Sequence, residues 1–183
     1  MTARFPALSP DDLSEAQRRV AAEITSGPRG QLRGPFVPLI YSPDLASCVQ
    51  KLGEYLRFNT GLTDSLLEIA ILVTARQFHC PNIWHSHRAL ALKAGLDPAI
   101  IAAIAQDRRP QQMGRQEELI YEFASELVGQ LGVSDQRFDR VVASWDRRTA
   151  MDLIAVCGYY ALLAMVLNTA RIPLPEGSEP FQS

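Results

Sequence analysis

Cysteine, histidine and aromatic residues are scarce in this sequence, which holds three cysteines, three histidines and 8% Phe, Trp and Tyr. The cysteines, at 48, 80 and 157, are odd in number and scattered through apolar or helical contexts. They do not make the disulfide framework of a small secreted domain, and a reducing cytoplasm is the expected compartment. Charge of one sign is not concentrated either. With 18 Lys and Arg against 20 Asp and Glu, and no run of five like charges, neither nucleic acid nor an anionic membrane is an expected partner. The opening Met1-Thr-Ala-Arg-Phe-Pro lacks the apolar core of a signal peptide. The longest uncharged apolar stretch, residues 153 to 167, is shorter than the ~20 residues of a membrane-spanning helix and reads as a buried helix. No segment sustains period-two alternation with turn dipeptides, so no sheet is required.

What is present favours helices. A hydrophobic content of 47% in 183 residues suits one domain, 1 to 183, with enough apolar surface to fold without staples. Ser9-Pro10-Asp11-Asp12 supplies a cap, a first-position proline and early acids ahead of Leu13, Val20 and Ile24, predicting a first helix to about residue 24. Residues 27 to 43 hold three glycines and four prolines, which excludes continuous helix and predicts a long ordered loop or lid. Such loops often carry function, so Arg29 and Arg33 are candidate contacts for an anion as well as candidate solvated surface. Helices are expected over residues 44 to 58, from the Thr63-Asp64 cap to about residue 78, from Pro81 to Gly95, just after Asp97-Pro98, and over 115 to 131, 134 to 145 and 148 to 170. The core is 44 to 171, and the tail, 172 to 183, is expected to be extended.

The stretch from Gly61 to Gly95 carries Glu68, Arg76, Cys80-Pro-Asn-Ile83-Trp84-His85-Ser-His87 and a closing Ala-Leu-Lys-Ala-Gly. It resembles the signature region of the carboxymuconolactone decarboxylase and alkylhydroperoxidase D family. Residues 151 to 168, with Gly158, Tyr160 and Asn168, followed by Pro173-Leu-Pro-Glu-Gly, resemble that family's closing helix. The resemblance covers about a third of the chain and implies an all-α, AhpD-like bundle of about seven helices whose protomers assemble as homotrimers or homohexamers. Hydroperoxidase members use a glutamate, a Cys-x-x-Cys pair and a histidine four residues after the second cysteine. Here those positions are Glu68, Cys80, Ile83 and His87. A reductive cycle needs one thiolate to attack peroxide and a second thiol to resolve the sulfenic acid, and Ile83 can do neither.

Elementary geometry weighs the candidates. Residues 80 and 87 share a helix face, but at ~1.5 Å per residue their backbones are about 10 Å apart, which argues against a direct hydrogen bond. Residue 83, one turn before His87, is where a thiol would meet the imidazole. Glu68 has no charged neighbour from Ser65 to Ala75; a buried, unpaired carboxylate is costly and suits proton exchange, while Arg76 or a backbone donor would make it structural. His79, His85 and His87 invite a metal reading, but 85 and 87 lie about 200° apart around a helix and cannot chelate one ion. Neither metal nor cofactor is expected. Cys80, at a helix N-terminus, is either reactive or a small core residue. Trp84 is either packing or site wall, and Asn168 needs a hydrogen-bond partner once buried.

The missing resolving cysteine turns the expectation toward a cofactor-free decarboxylase-like enzyme of aromatic compound catabolism, acting by acid and base chemistry on a small carboxylated lactone or ring-cleavage product. Glu68, His87 and Cys80 are the expected catalytic residues. Arg29, Arg33, Trp84 and His85 are the expected substrate contacts. A single-cysteine peroxidase of the alkylhydroperoxidase type and a non-catalytic small-molecule-binding protein are the alternatives.

Overall fold

The computed structural model describes residues 2–27, 30–174 and 178. Among these, every regular element is helical: a 3-10 turn at Pro10–Asp12 followed by α1 (Glu15–Ser26), α2 (Phe36–Leu39), α3 (Pro43–Phe58), α4 (Asp64–Gln77), α5 (Pro81–Lys93), α6 (Pro98–Ala105), α7 (Arg115–Gln130), α8 (Asp135–Ser144) and α9 (Arg147–Ala170). The chain divides into two compact units, one comprising residues to Asn59 with Met165–Pro173, the other Thr60–Ala164 with the tail from Leu174.

In the first unit the Ser9-Pro10 start signal yields only the 3-10 turn. The main helix begins later, at a reciprocal cap in which Ser14 Oγ accepts from the Gln17 backbone N–H and Gln17 Oε1 accepts from that of Ser14. α1 buries Val20 and Ile24 and packs on α3. The segment expected to be a loop contains one helical turn, α2, which buries Phe36, Pro38 and Leu39 and also packs on α3. Gln17 Nε2 donates to the Ile40 carbonyl at 3.1 Å, tying the end of that turn to α1. Arg29 and most of the tail expected to be extended lie outside the described residues.

The second unit is built around α4, where every residue from Leu66 to Ala75 is buried, as its all-round apolarity predicts. α4 packs against α5, α6 and α7. The chain reverses after α4 through His79, whose φ of 47° is left-handed, and Cys80 N–H then donates to the Ala75 carbonyl at 2.9 Å. Pro81 takes the first position of α5, which stops where Gly95 adopts φ 83°. Asp97 Oδ1 caps α6 by accepting from Ala99 N–H at 2.7 Å. The 24-residue α9 is long and apolar enough to cross a membrane, with a mean hydropathy of 2.0 over its best window, yet 61% of that window is buried inside the protein. It is thus longer than the uncharged stretch that marked it in the sequence, and buried as expected.

An ion-pair network on α7 ties α8 and the loop after α6 to that helix. Glu122 accepts from Arg109 and Arg140, at 3.2 and 2.7 Å, and Glu126 accepts from Arg137 at 2.7 Å. Burial pushes Glu122 up, but the hydrogen bonds from Arg109 and Arg140 outweigh it and hold the group below its ordinary 4.5; the Arg137 hydrogen bond does the same for Glu126. Carboxylates depressed in the folded state add stability above their unfolded value, and that stability is lost as pH falls through the folded value. Thermal unfolding followed from pH 7 to pH 2 should therefore show a Tm that declines below about pH 4.5. The decline should be smaller in the Glu122→Gln, Glu126→Gln double variant, and an equal decline would remove the network from the stability of this unit.

Candidate active site

The polar centre of the second unit is a carboxylate and an imidazole enclosed by apolar helices. Glu68 is 3% exposed on α4 and His87 is 6% exposed on α5. Their side chains meet at 2.7 Å between Glu68 Oε2 and His87 Nδ1. Helix phase explains the choice of histidine. Ile83, Trp84, His87 and Ala91 form the buried face of α5, whereas His85 points to the exposed side. With Nδ1 engaged by the Glu68 carboxylate, Nε2 is the imidazole nitrogen that this contact does not use. Arg76 does not hold Glu68: its Nε donates to the Ala105 carbonyl at 3.0 Å and its Nη1 lies 3.3 Å from His79 Nδ1.

A residue of α9 completes the constellation. The Tyr160 ring, 3% exposed, stands edge-on to His87 with centroids 4.9 Å apart and planes at 83°, and Tyr159 stacks edge-on to Tyr160 in turn. Tyr160 is not among the residues expected at the site from the sequence. The available signal was a pair of tyrosines inside an otherwise apolar helix, where each hydroxyl and ring edge must find a partner. Trp84 is buried one turn before the level of His87, in keeping with either packing or a site wall. Arg33 is exposed ahead of α2, in the first unit. Asn168 is exposed near the end of α9.

The two buried thiols are not poised as nucleophiles. Cys80 is fully buried. Burial pushes its thiol above the ordinary 9.0, and backbone hydrogen bonds from Ile83 and Asn82, at the start of α5, offset this only in part. Cys157 is likewise pushed up by burial, to about 11, against a hydrogen bond with the Thr74 side chain. Cys48 is exposed, and all three cysteines are free. Ile83, in the position where a second thiol would meet the histidine, is 4% exposed. Among the described residues no three His, Cys, Asp or Glu side chains converge in a way that could hold a metal ion.

No protein-family model matches the chain, and no curated protein matches it. Solved structures do. One, a crystal structure of the alkylhydroperoxidase AhpD core of an uncharacterized peroxidase-related protein from Ralstonia eutropha JMP134, superposes with a TM-score of 0.77 at 18% identity, over 95% of this chain and 93% of that one. Another, an uncharacterized peroxidase-related protein from Silicibacter sp. TM1040, gives 0.76 at 13% identity, over 96% and 92%. The chain has the all-helical, AhpD-like fold.

Two outcomes test this site as a physical object. Removing one partner of a buried pair leaves the other uncompensated, so His87→Ala should cost about 3–5 kcal/mol in denaturant unfolding, whereas Glu68→Gln, which keeps an acceptor for Nδ1–H, should cost less. At neutral pH a thiol reagent should modify Cys48 at least about tenfold faster than Cys80 or Cys157, as counted by mass spectrometry, with both buried thiols reacting after unfolding. Rapid modification of native Cys80 would contradict the burial that keeps it protonated.

Proposed function

We propose that this protein is a cofactor-free, decarboxylase-like enzyme that uses Glu68 and His87 to move a proton on a small carboxylated lactone or a related product of aromatic ring cleavage. The observation that carries this reading is the enclosed 2.7 Å contact between Glu68 and His87, with an isoleucine rather than a thiol one turn away. In loss of carbon dioxide from such a lactone, the bond between the carboxylate and the ring carbon breaks, and its electron pair delocalises onto the conjugated lactone carbonyl. A proton must then be delivered to carbon. His87 delivers it from Nε2 as the imidazolium, which the Glu68 carboxylate orients and stabilises through Nδ1–H, and the neutral imidazole left behind regains a proton from solvent before the next turnover. Enclosure favours the reaction because a proton held in a water-poor site is not lost to solvent. The protein acts in the cytoplasm as a homotrimer or homohexamer. The exposed Met151 and Leu162 on α9 are the kind of surface a subunit contact covers.

A second reading has one observation in its favour. The backbone N–H groups of Asn82 and Ile83, at the start of α5, pull the Cys80 pKa down against the larger upward push of burial, and so favour the thiolate, the form needed to take an oxygen from a peroxide. In that cycle Cys80 becomes a sulfenic acid as the peroxide is reduced to an alcohol or water, and an external thiol returns it. Burial of Cys80 weighs against this reading.

Carbon dioxide release from a panel of muconolactone-type acids separates the two. Decarboxylation should fall at least about a hundredfold in His87→Ala and in Glu68→Gln and persist in Cys80→Ser. Peroxide consumption that vanishes in Cys80→Ser, with no carbon dioxide released from any acid, would replace this reading with the peroxidase one.

A further inference from the structure

Among the described residues nothing covers the outward face of α9. The helix runs for 24 residues, and no position from Leu153 to Ala170 is charged. A helix apolar on every side belongs in an interior. Yet Met151, Leu162 and Met165 are 62%, 36% and 54% exposed, and Gly158 is exposed among them. At ~100° per residue these four positions lie within about 60° of one another and form a single stripe.

Gly158 is the residue for which the single chain gives no reason. It sits in the interior of a regular helix, where glycine is destabilising relative to alanine. A Cβ there would meet nothing within 4 Å outside its own helix, so no described neighbour requires the side chain to be absent. Close approach by a second helix does require it. Side-chain size is also mirrored about this glycine. Ala155 and Ala161 stand three residues to either side, Ile154 and Leu162 four, and Met151 and Met165 seven. A face that is small at its centre and large at matched distances on both sides is complementary to a copy of itself running the opposite way. The two glycines meet at the axis, and Met151 meets the partner's Met165. Charge selects the same direction. Arg147 is exposed on this stripe, eleven residues before Gly158, and forms no ion pair among the described residues. In an antiparallel pair it faces the partner's Thr169, which is neutral; in a parallel pair it would face the partner's Arg147, a like charge that disfavours that arrangement. Antiparallel packing also sets the two helix dipoles in opposition, which is favourable.

We propose that two copies of this chain pack α9 against α9, antiparallel, about a two-fold axis at Gly158. The contact rests on the self-association proposed above and not on the chemistry at Glu68 and His87. It makes the particle even-numbered, which a hexamer satisfies and a trimer does not.

Analytical ultracentrifugation of the full chain should give an even multiple of the 20.3 kDa chain mass. Gly158→Trp, for which the single chain has room, should keep the helical circular dichroism spectrum and halve that mass, from hexamer to trimer or from dimer to monomer. Cross-linking supplies a second measurement that decides the matter where that variant does not fold. In a Cys48→Ser background, which removes the exposed thiol, Gly158→Cys should join to its own copy on oxidation and run as a covalent dimer. Met151→Cys in the same background should not, because antiparallel packing sets two copies of that position ~21 Å apart along the helices. A wild-type trimer would overturn the proposal while leaving the proposed function standing, and a wild-type monomer would overturn both this contact and the self-association. An unchanged mass in folded Gly158→Trp, no covalent dimer of Gly158→Cys, or a covalent dimer of Met151→Cys would each overturn it too, the last by making the pair parallel.

Discussion

A carboxylate removed from water has to be answered by hydrogen bonding or by charge, and in this protein the answer to Glu68 is His87. The two sit 19 residues apart in the chain, on the central helix and the one after it. The rest of the second unit is consistent with that contact. α4 can be buried on every side because its one charged residue between Ser65 and Ala75 has a partner. α5 begins at Pro81, which fixes the phase that turns His87 inward and His85 outward. From α9, Tyr160 stands edge-on to the imidazole. A shift of α5 by one residue would exchange the histidine for a solvent-facing neighbour and leave the glutamate buried alone, at a cost of several kcal/mol.

The same packing that answers Glu68 quiets sulfur. Desolvation pushes both Cys80 and Cys157 up, and the helix-start N–H groups at Cys80 only partly offset it. Apolar Ile83 fills the turn between Cys80 and His87, so no second thiol on this helix stands where a disulfide would need it. The carboxylate–imidazole pair is present and a pair of thiols on this helix is not. The fold is shared with two peroxidase-related proteins at 18% and 13% identity. What a fold of this kind does depends on the side chains placed on it.

The helical plan could be read residue by residue because it rests on local rules. Pro81 at a first position and Gly95 at a left-handed end mark α5 in sequence and in structure. Where local rules competed, the sequence misled. Ser9-Pro10 offers a cap and a proline, but Ser14 with Gln17 offers a reciprocal pair of hydrogen bonds, and the helix starts there. The proline-rich segment breaks continuous helix as expected, yet Phe36, Pro38 and Leu39 gain enough burial to hold one helical turn.

The sequence by itself determined that the protein is all-helical, that α4 is buried, and that Glu68 and His87 are the residues worth watching, since periodicity, capping and the resemblance are properties of neighbouring positions. Only the tertiary structure decided that Glu68 pairs with His87 and not with Arg76, that Tyr160 stands against the imidazole, and that Arg76 instead donates to the Ala105 carbonyl at the end of α6. The physical reason is that each of these contacts joins different helices. Their partners are selected by packing and by the cost of leaving a buried charge unanswered, and neither is written in the spacing of residues along the chain.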